Sequence, residues 1–489
     1  MTSNPESIVQ QVQHEVQNLL TYVTGPAARS ETAYTVELTL FRRLLALGAA
    51  LLRLFFVTRA AVRPAEPVLA PDDTPLMYHD QRPTTYYSVF GNVRFWRPYF
   101  TARGQEGRCP LDMALSLPAR CYSDLLREWA AYGTTDESYR ESQTVLERIL
   151  GLSLSLQALE TSSVEAGRDV AAFYELPIEP LPASPADTIL VVQADGKGVP
   201  MVQPPIMPPP VRLGKGQKRT KKKEAVVTAL YTIAPYPRTP QEVVAALLDD
   251  EHPTSAARPV PVGKELRATL EGKTVAMVHL VPRVAQREGP HIQHRVALTD
   301  GAEALQQQLV THVPAFTLVL DIIPAIEYLW TAANALLGET HPQRLAWVRA
   351  YLEALLAGQT DAVITALAAE AKDPTCTVPQ RQVVQRTVGY YQRNRPYMHY
   401  DEYLARGWPI GTGVVEGACR HLVKDRMEPS GMRWTTGGAQ AVLDLRAVRL
   451  NGQWDAYWPF HRHQQHQRLY GMSAPAPDML EVQALTLAA

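Results

Sequence analysis

Three short apolar runs, each closed by an aspartate, constrain this 489-residue chain more than any other feature. They are TILVVQAD, ending at Asp195, RVALTD, ending at Asp300, and FTLVLD, ending at Asp321. Runs of this length, rich in β-branched residues and without polar alternation, read as strands buried on both faces. Residues 224–234 (EAVVTALYTIA) and about 264–271 read as two further strands. Residues 273–286, despite Pro282, and AEALQQQLVTH read as helices. The resulting order, β-β-β-α-β-α-β, predicts an α/β domain with a ribonuclease-H-like core. Its last helix is missing at that point. Residues 325–405 carry almost unbroken helical periodicity instead, and the closing helix arrives with GWPIGTGVVEGACRHLVKDRM. The expectation is an α-helical insertion between the fifth strand and the last core helix.

The half before this core is different. Residues 1–65 read as a helical region. RPAEPVLAPDDTP begins a Pro-rich linker over 65–85, and YYSVFGNVRFWRPYFT (86–101) signals a β-hairpin around Gly91-Asn92. Helix is expected from Pro110 to about Gly133, then two helices flanking Gly151 within 136–167. The second is either a helix-turn-helix recognition helix or half of a plain helical hairpin; it has no Lys or Arg before Arg168, which counts against groove insertion. ELPIEPLPASPAD (175–187) is a second linker. The boundaries that follow are 1–65 helical, 66–187 hairpin and candidate DNA-binding region, 188–324 first part of the core, 325–405 insertion, 406–450 closing part, and 451–489 tail.

FRRLLALGAALLRLFFVTRAAV (41–62) is the most apolar stretch, but Arg42, Arg43, Arg53 and Arg59 interrupt it. The run between Arg43 and Arg53 is too short to span a bilayer. It reads as a buried or oligomerising helix, with a membrane-surface helix as the alternative. No signal peptide is evident. Cys109, Cys121, Cys376 and Cys419 form no C-x-x-C pair, so neither a zinc ribbon nor a disulfide framework is implied, and a reducing cytosol fits. The net charge of −1 requires that any phosphate binding come from local basic surface. RLGKGQKRTKKK (212–223) offers one, with Arg212, Lys215, Lys218, Arg219, Lys221, Lys222 and Lys223.

Asp195 and Asp300 each precede a glycine, so each is either a carboxylate at a strand end or an ordinary D-G turn residue. Their weight comes from ending strands that lie side by side in this order. Asp321 competes with Asp300 for the second position but ends a strand farther from the first. On helical spacing Glu416, Arg420 and Lys424 share one face, and Val415, Cys419 and Leu422 share another. The alternative for Glu416 is a surface pair with Arg420. Two carboxylates at strand ends and one on a late helix are the donor set of a magnesium site that positions water or a 3′-hydroxyl for attack on a phosphodiester. Arg433 and Trp434, in SGMRW, are candidates to clamp or stack DNA, with a core tryptophan as the other reading.

Several strings go further: ADGKGVPM, RLGKGQKRTKKKEAVVTALYTI, ALTDGAEALQ, LDIIPAIEYLWTAANAL, WPIGTGVVEGACRHLVKDRM and SGMRW. From about residue 86 to about 471 the chain resembles bacterial insertion-sequence transposases of the ISKra type, which are similar to Mutator-like DDE transposases. The resemblance implies DNA transposition on a ribonuclease-H-like fold. It carries an acidic catalytic and metal-binding triad onto Asp195, Asp300 and Glu416. It implies Mg²⁺, or Mn²⁺, as cofactor, and element ends and target DNA as partners. It also implies a homodimer or larger assembly on DNA, no membrane, and a bacterial cytoplasmic setting at the nucleoid. Related proteins carry an Asp or Cys followed three positions later by His; here these map onto Asp321 and Pro324, so the histidine is replaced. Where paired cysteines are common, only Cys109 is present, and no structural zinc is expected. The alternative function is a transposase-derived protein that binds element ends without cutting; a ribonuclease or repair nuclease is a third.

Overall fold

The computed structural model describes residues 5–62, 64, 66–120, 122–177, 188–203, 222–249, 258–429 and 431–471. The chain forms two compact units, Met1–Phe173 with Gly452–Ala489, and Tyr174–Asn451.

The first unit begins with helices α1 (Pro5–Thr24), α2 (Pro26–Arg29) and α3 (Ala33–Ala61). A hairpin follows, β1 (Met77–Ser88) with β2 (Gly91–Thr101), then α4 (Pro110–Ala114), α5 (Asp124–Asp136), α6 (Tyr139–Leu150), α7 (Leu156–Gly167) and α8 (Val170–Glu175), which reaches the unit boundary. The hairpin is longer than its composition predicts. Residues 77–85, read as linker, pair with aromatic β2 in register, Thr84 opposite Phe95. Its loop is Val89-Phe90, ahead of the expected Gly91-Asn92, because the Ser88 hydroxyl donates to the Gly91 carbonyl (2.9 Å) and closes the turn there. Gly91 follows with φ 113°. Ser138 and Glu141 form a reciprocal cap that starts α6, and Gly151 ends it with φ 69°.

Of the two readings of α3, buried or oligomerising, burial within this chain does not hold. Only Phe56 is buried along it, stacked on Phe95 at 4.2 Å, while Phe41, Leu44, Leu51 and Phe55 are exposed. By length and composition α3 can cross a membrane, although its four arginines remain within it.

The second unit is built on one mixed sheet. In chain order come β3 (Ile189–Pro200), β4 (Lys222–Ile233), α9 (Pro240–Leu248), β5 (Val262–Thr269), α10 (Lys273–Arg287), β6 (His294–Thr299), α11 (Glu303–His312) and β7 (Thr317–Leu320). The spatial order is β5-β4-β3-β6-β7, with β3–β4 and β4–β5 antiparallel and β3–β6 and β6–β7 parallel. Alternate residues of β3 serve two cores. Ile189 and Val191 join one with Leu329, Leu352 and Tyr391; Leu190, Val192 and Ala194 join another with Met277, Leu280 and Leu309. Both faces are covered, so the run needs no polar alternation, and each such side chain contributes about 1.5–3 kcal/mol by burial.

The helices on the first face are α12 (Ile322–Leu337), α13 (Arg344–Leu356), α14 (Thr360–Glu370), α15 (Val378–Asn394) and α16 (Tyr400–Ala405), the stretch whose periodicity reads as an insertion. The chain then forms α17 (Gly413–Ala418), a π-helical segment (Cys419–Lys424), α18 (Asp425–Met427) and α19 (Thr436–Leu450). The last helix, α20 (Trp454–Tyr470), lies in the region read as a tail; it belongs to the first unit and buries Trp454, Tyr457 and Trp458.

Candidate active site

Three adjacent parallel strands each present an aspartate at one level. The β3–β6 ladder runs from Ile189 opposite His294 to Gln193 opposite Leu298, so two residues on Asp195 stands abreast of Asp300. The β6–β7 ladder ends with Thr299 opposite Leu320, which sets Asp300 abreast of Asp321. The Asp321 N–H donates to the Thr299 carbonyl (2.9 Å), carrying the ladder on to that residue.

The two D-G pairs differ. Asp195 is not in a turn: β3 continues to Pro200, with Asp195 opposite Val227 and Gly196 opposite Val226 on β4. It therefore lies where β3 has outrun β6 and keeps one neighbour. A Cβ on Gly196 would come within 2.4 Å of Glu224 Oε1, so the glycine is what lets the β4 side chain cross the strand. Asp300 does head a turn. Its Oδ1 accepts from Ala302 N (2.9 Å), and Gly301 has φ +91° with Tyr390 and Leu320 atoms at 2.9 and 3.0 Å from any added Cβ. Tyr390, on α15, also donates to the Asp300 carbonyl (3.1 Å), while Tyr400 donates to Leu320 (3.1 Å) and Tyr391 to Ala325 (2.7 Å). Tyrosines of α15 and α16 thus satisfy backbone carbonyls where β6 and β7 end.

Gln193 brings the closing helix to this edge. It is fully buried in β3; its Oε1 accepts from Val415 N (2.9 Å) and its Nε2 donates to Gly411 O (3.2 Å) and Tyr231 Oη (2.9 Å). Farther along, the Cys419 thiol donates to Asp195 Oδ2 (3.3 Å). Glu416, Arg420 and Lys424 are exposed, and Val415, Cys419 and Leu422 are buried, as helical spacing predicts. The Thr412 hydroxyl lies 2.9 Å from Glu416 Oε1.

Burial raises the Asp195 carboxyl above its usual range. The Gly196 N–H and the Cys419 thiol counter this, and the charges of Asp300 and Glu416 add to the rise. The three carboxylates are therefore electrostatic neighbours. As placed, however, no group of three His, Cys, Asp or Glu among the described residues is in position to hold a metal ion. Asp195 meanwhile accepts from the Gly196 N–H (2.6 Å) on Oδ1 and from the Cys419 thiol on Oδ2. Burial and the Asp195 charge push the Cys419 thiol up, which keeps it a donor.

Asp321 is a different kind of acid. It is fully buried; Oδ1 caps α12 by accepting from Ile323 N (2.8 Å), and Oδ2 accepts from Thr412 N (3.0 Å) and the Thr412 hydroxyl. Burial, opposed by these bonds and aided by the Glu416 charge, pushes its carboxyl up to about 6. Pro324 falls in the first turn of α12, where a missing N–H costs nothing.

Of the basic residues, Lys215, Lys218, Arg219 and Lys221 lie outside the described residues. Lys222 and Lys223 open β4, and Lys222 pairs with Glu428. Arg420 is 4.0 Å from Asp425, and Arg433 is exposed. Trp434 is corrected to a core residue. It is 6% exposed, donates Nε1–H to Met427 O (3.0 Å), exchanges backbone bonds with Pro200 and Val202, and lies under Arg426. Its ring is not free to stack on a base. Gln193 and Thr412 were missed by sequence reasoning; the signal for Gln193 was one amide inside an otherwise apolar strand.

No protein-family model matches this sequence, and no curated protein matches it. Among solved structures, the Drosophila P element transposase strand transfer complex is similar at 8% identity and a TM-score of 0.28, over 67% of this chain and 92% of that one.

Proposed function

We propose that the second unit is a ribonuclease-H-like catalytic core and that the chain is a DDE transposase of insertion-sequence type. In this reading it binds element ends and catalyses metal-dependent cleavage and transfer of DNA strands. The observation that carries the reading is Asp195 abreast of Asp300 on parallel strands, with Gln193 fixing the helix that bears Glu416 beside them. Asp195, Asp300 and Glu416 would hold Mg²⁺ or Mn²⁺, since three carboxylates are the hard oxygen donors such ions take. Burial is the main cause of the rise at Asp195, and the Asp300 and Glu416 charges that add to it are what a divalent cation would offset. When bound, the ion supplies Lewis acidity toward the scissile phosphate and its attacking hydroxyl. To join it, Asp195 Oδ2 must give up the Cys419 thiol, a weak donor. Arg420 and Lys424, one and two turns beyond Glu416 on its exposed face, would meet the DNA backbone, with Lys222, Lys223 and Arg433 contributing elsewhere. A dimer on paired element ends fits this chemistry.

The second reading, an end-binding protein that does not cut, is favoured by the engagement of both Asp195 oxygens and by Pro324 in place of the family histidine. Labelled duplexes from the DNA flanking the coding sequence, incubated with the protein and Mg²⁺ or Mn²⁺, decide between them. The expected result is cleavage by the native protein and only background cleavage by Asp195→Asn, with binding retained by both. Binding without cleavage by the native protein would overturn the enzyme reading.

A further inference from the structure

The first unit contains a cleft of about 640 Å³ that the proposed chemistry does not use. One wall is α7, from its cap Ser155 through Thr161 and Ser162 to Arg168, and the facing wall is the second half of α20. Its volume falls within the range of small-ligand sites, about 300–1,000 Å³.

Two of its four arginines are fixed by the protein. Arg127 is held by Asp124 (3.2 Å), Glu165 (3.3 Å) and Gln465, and Arg468 grips Asp169 with both guanidinium nitrogens (2.5 and 2.8 Å). The other two are available. Arg120 is 61% exposed and only loosely set against Glu165 (3.7 Å), and Arg168 is exposed and makes no ion pair among the described residues. His461, 1% exposed, lines the same cleft. Its Nδ1 lies 2.7 Å from Asp169 Oδ2, and its Nε2 is buried with no hydrogen-bond partner. Against the cost of burial, the bonds from His461 and Arg468 hold Asp169 below the usual carboxylate range, so it accepts. In the neutral ring, Nδ1–H donates to Asp169 and Nε2 is the acceptor left without a partner. A buried acceptor left unmade costs about 1–3 kcal/mol, and a ligand that donates to it recovers that.

The cleft therefore asks for an anion at Arg120 and Arg168 and an N–H or O–H at His461. We propose that it binds a nucleotide, its phosphate at Arg120 and Arg168 and a base N–H or sugar hydroxyl donating to His461 Nε2. The nucleotide is free or is one unit of a DNA strand; only the strand form rests on the function proposed above.

The full chain tests this by calorimetric titration with thymidine 5′-monophosphate, with thymidine, and with a dT hexanucleotide. The same titrations are run on Arg120→Gln, Arg168→Gln and Asp195→Asn. A 4-thiothymidine hexanucleotide, photocrosslinked and mapped by mass spectrometry, locates the strand. The two arginine positions are exposed, so their variants keep the fold. Each is expected to weaken binding by about tenfold or more, the loss of one charged hydrogen bond, while Asp195→Asn leaves it unchanged and thymidine alone does not bind. Weakened monophosphate binding identifies a free-nucleotide site. Weakened hexanucleotide binding with crosslinks on α7 or α20 identifies a strand site. Binding of neither probe, or binding that both arginine variants leave unchanged, overturns the proposal. Retention of binding by Asp195→Asn, whatever that variant does to DNA cleavage, separates this site from the catalytic reading.

Discussion

Asp300 and Asp321 stand abreast on neighbouring parallel strands, yet the structure treats them oppositely. Asp321 is fully buried and spends both oxygens on three donors, two backbone N–H groups and one hydroxyl. Asp300 is half-buried and receives its hydrogen bonds from Ala302 and Thr299 on Oδ1 alone. Glu416 meets the same Thr412 hydroxyl with Oε1 alone, and that single O–H can donate to only one of the two carboxylates. A strand-end aspartate becomes a cap when the protein saturates it and a candidate ligand when it does not. Position at the strand end does not distinguish the two; the donor count does.

The sharpest way to break this comparison is stability. At pH 5, Asp321→Ala leaves the buried Thr412 N–H without its acceptor and removes the cap of α12, and is expected to cost about 3 kcal/mol. Asp300→Ala is expected to cost less than that, because it gives up one long hydroxyl bond (3.3 Å) and one bond from the N–H of half-buried Ala302. Urea denaturation measures both, and an equal cost would erase the distinction.

The pH dependence sharpens the comparison next. Asp321 has a folded pKa of about 6, above its unfolded value of 3.8, so the folded state holds the proton more tightly. Its contribution is present in full below the unfolded pKa and is lost as pH rises through about 6, a change of about 3 kcal/mol. Denaturation midpoints of the native protein should fall across that window, and those of Asp321→Asn should fall less. A native profile that rises between pH 4 and pH 6 would contradict the assignment.

Gln193→Leu tests what brings Glu416 to the pair. It removes the acceptor of Val415 N and the donor to Gly411 O, for an expected loss of about 2 kcal/mol. It should also cut DNA cleavage more than it weakens DNA binding, and an equal loss of the two would make Gln193 a purely structural residue. The smallest effect concerns the basic segment. Neutralising Lys221, Lys222 and Lys223 together should reduce the salt dependence of DNA binding by roughly 0.9 in log–log slope for each phosphate no longer neutralised. An unchanged slope would show that they do not touch DNA.

Much of this was legible because burial on both faces leaves a plain signature. TILVVQA, RVALT and FTLVL needed only apolar continuity to be read as strands, and the helical stretch after Asp321 only periodicity. What stayed hidden depends on partners distant in sequence. DGKG reads as a turn, but β4 pairs through it and keeps it extended. Residues 77–85 read as linker until β2 supplies a register. The sequence leaves Trp434 open between stacking on DNA and joining the core, and its pairing with the end of β3 decides for the core. The saturation of Asp321 by Thr412 joins positions 91 residues apart, a separation no local pattern reports. α3 shows the converse: its apolar composition fits burial, yet only Phe56 along it is buried within this chain.

The most direct test of the central claim is Mn²⁺ binding, followed by electron paramagnetic resonance, in the native protein and in Asp195→Asn, Asp300→Asn, Glu416→Gln and Asp321→Asn. The account predicts that the first three variants each lose the site and that Asp321→Asn keeps it. Loss of binding in Asp321→Asn with retention in Asp300→Asn would contradict it and make the saturated aspartate the ligand.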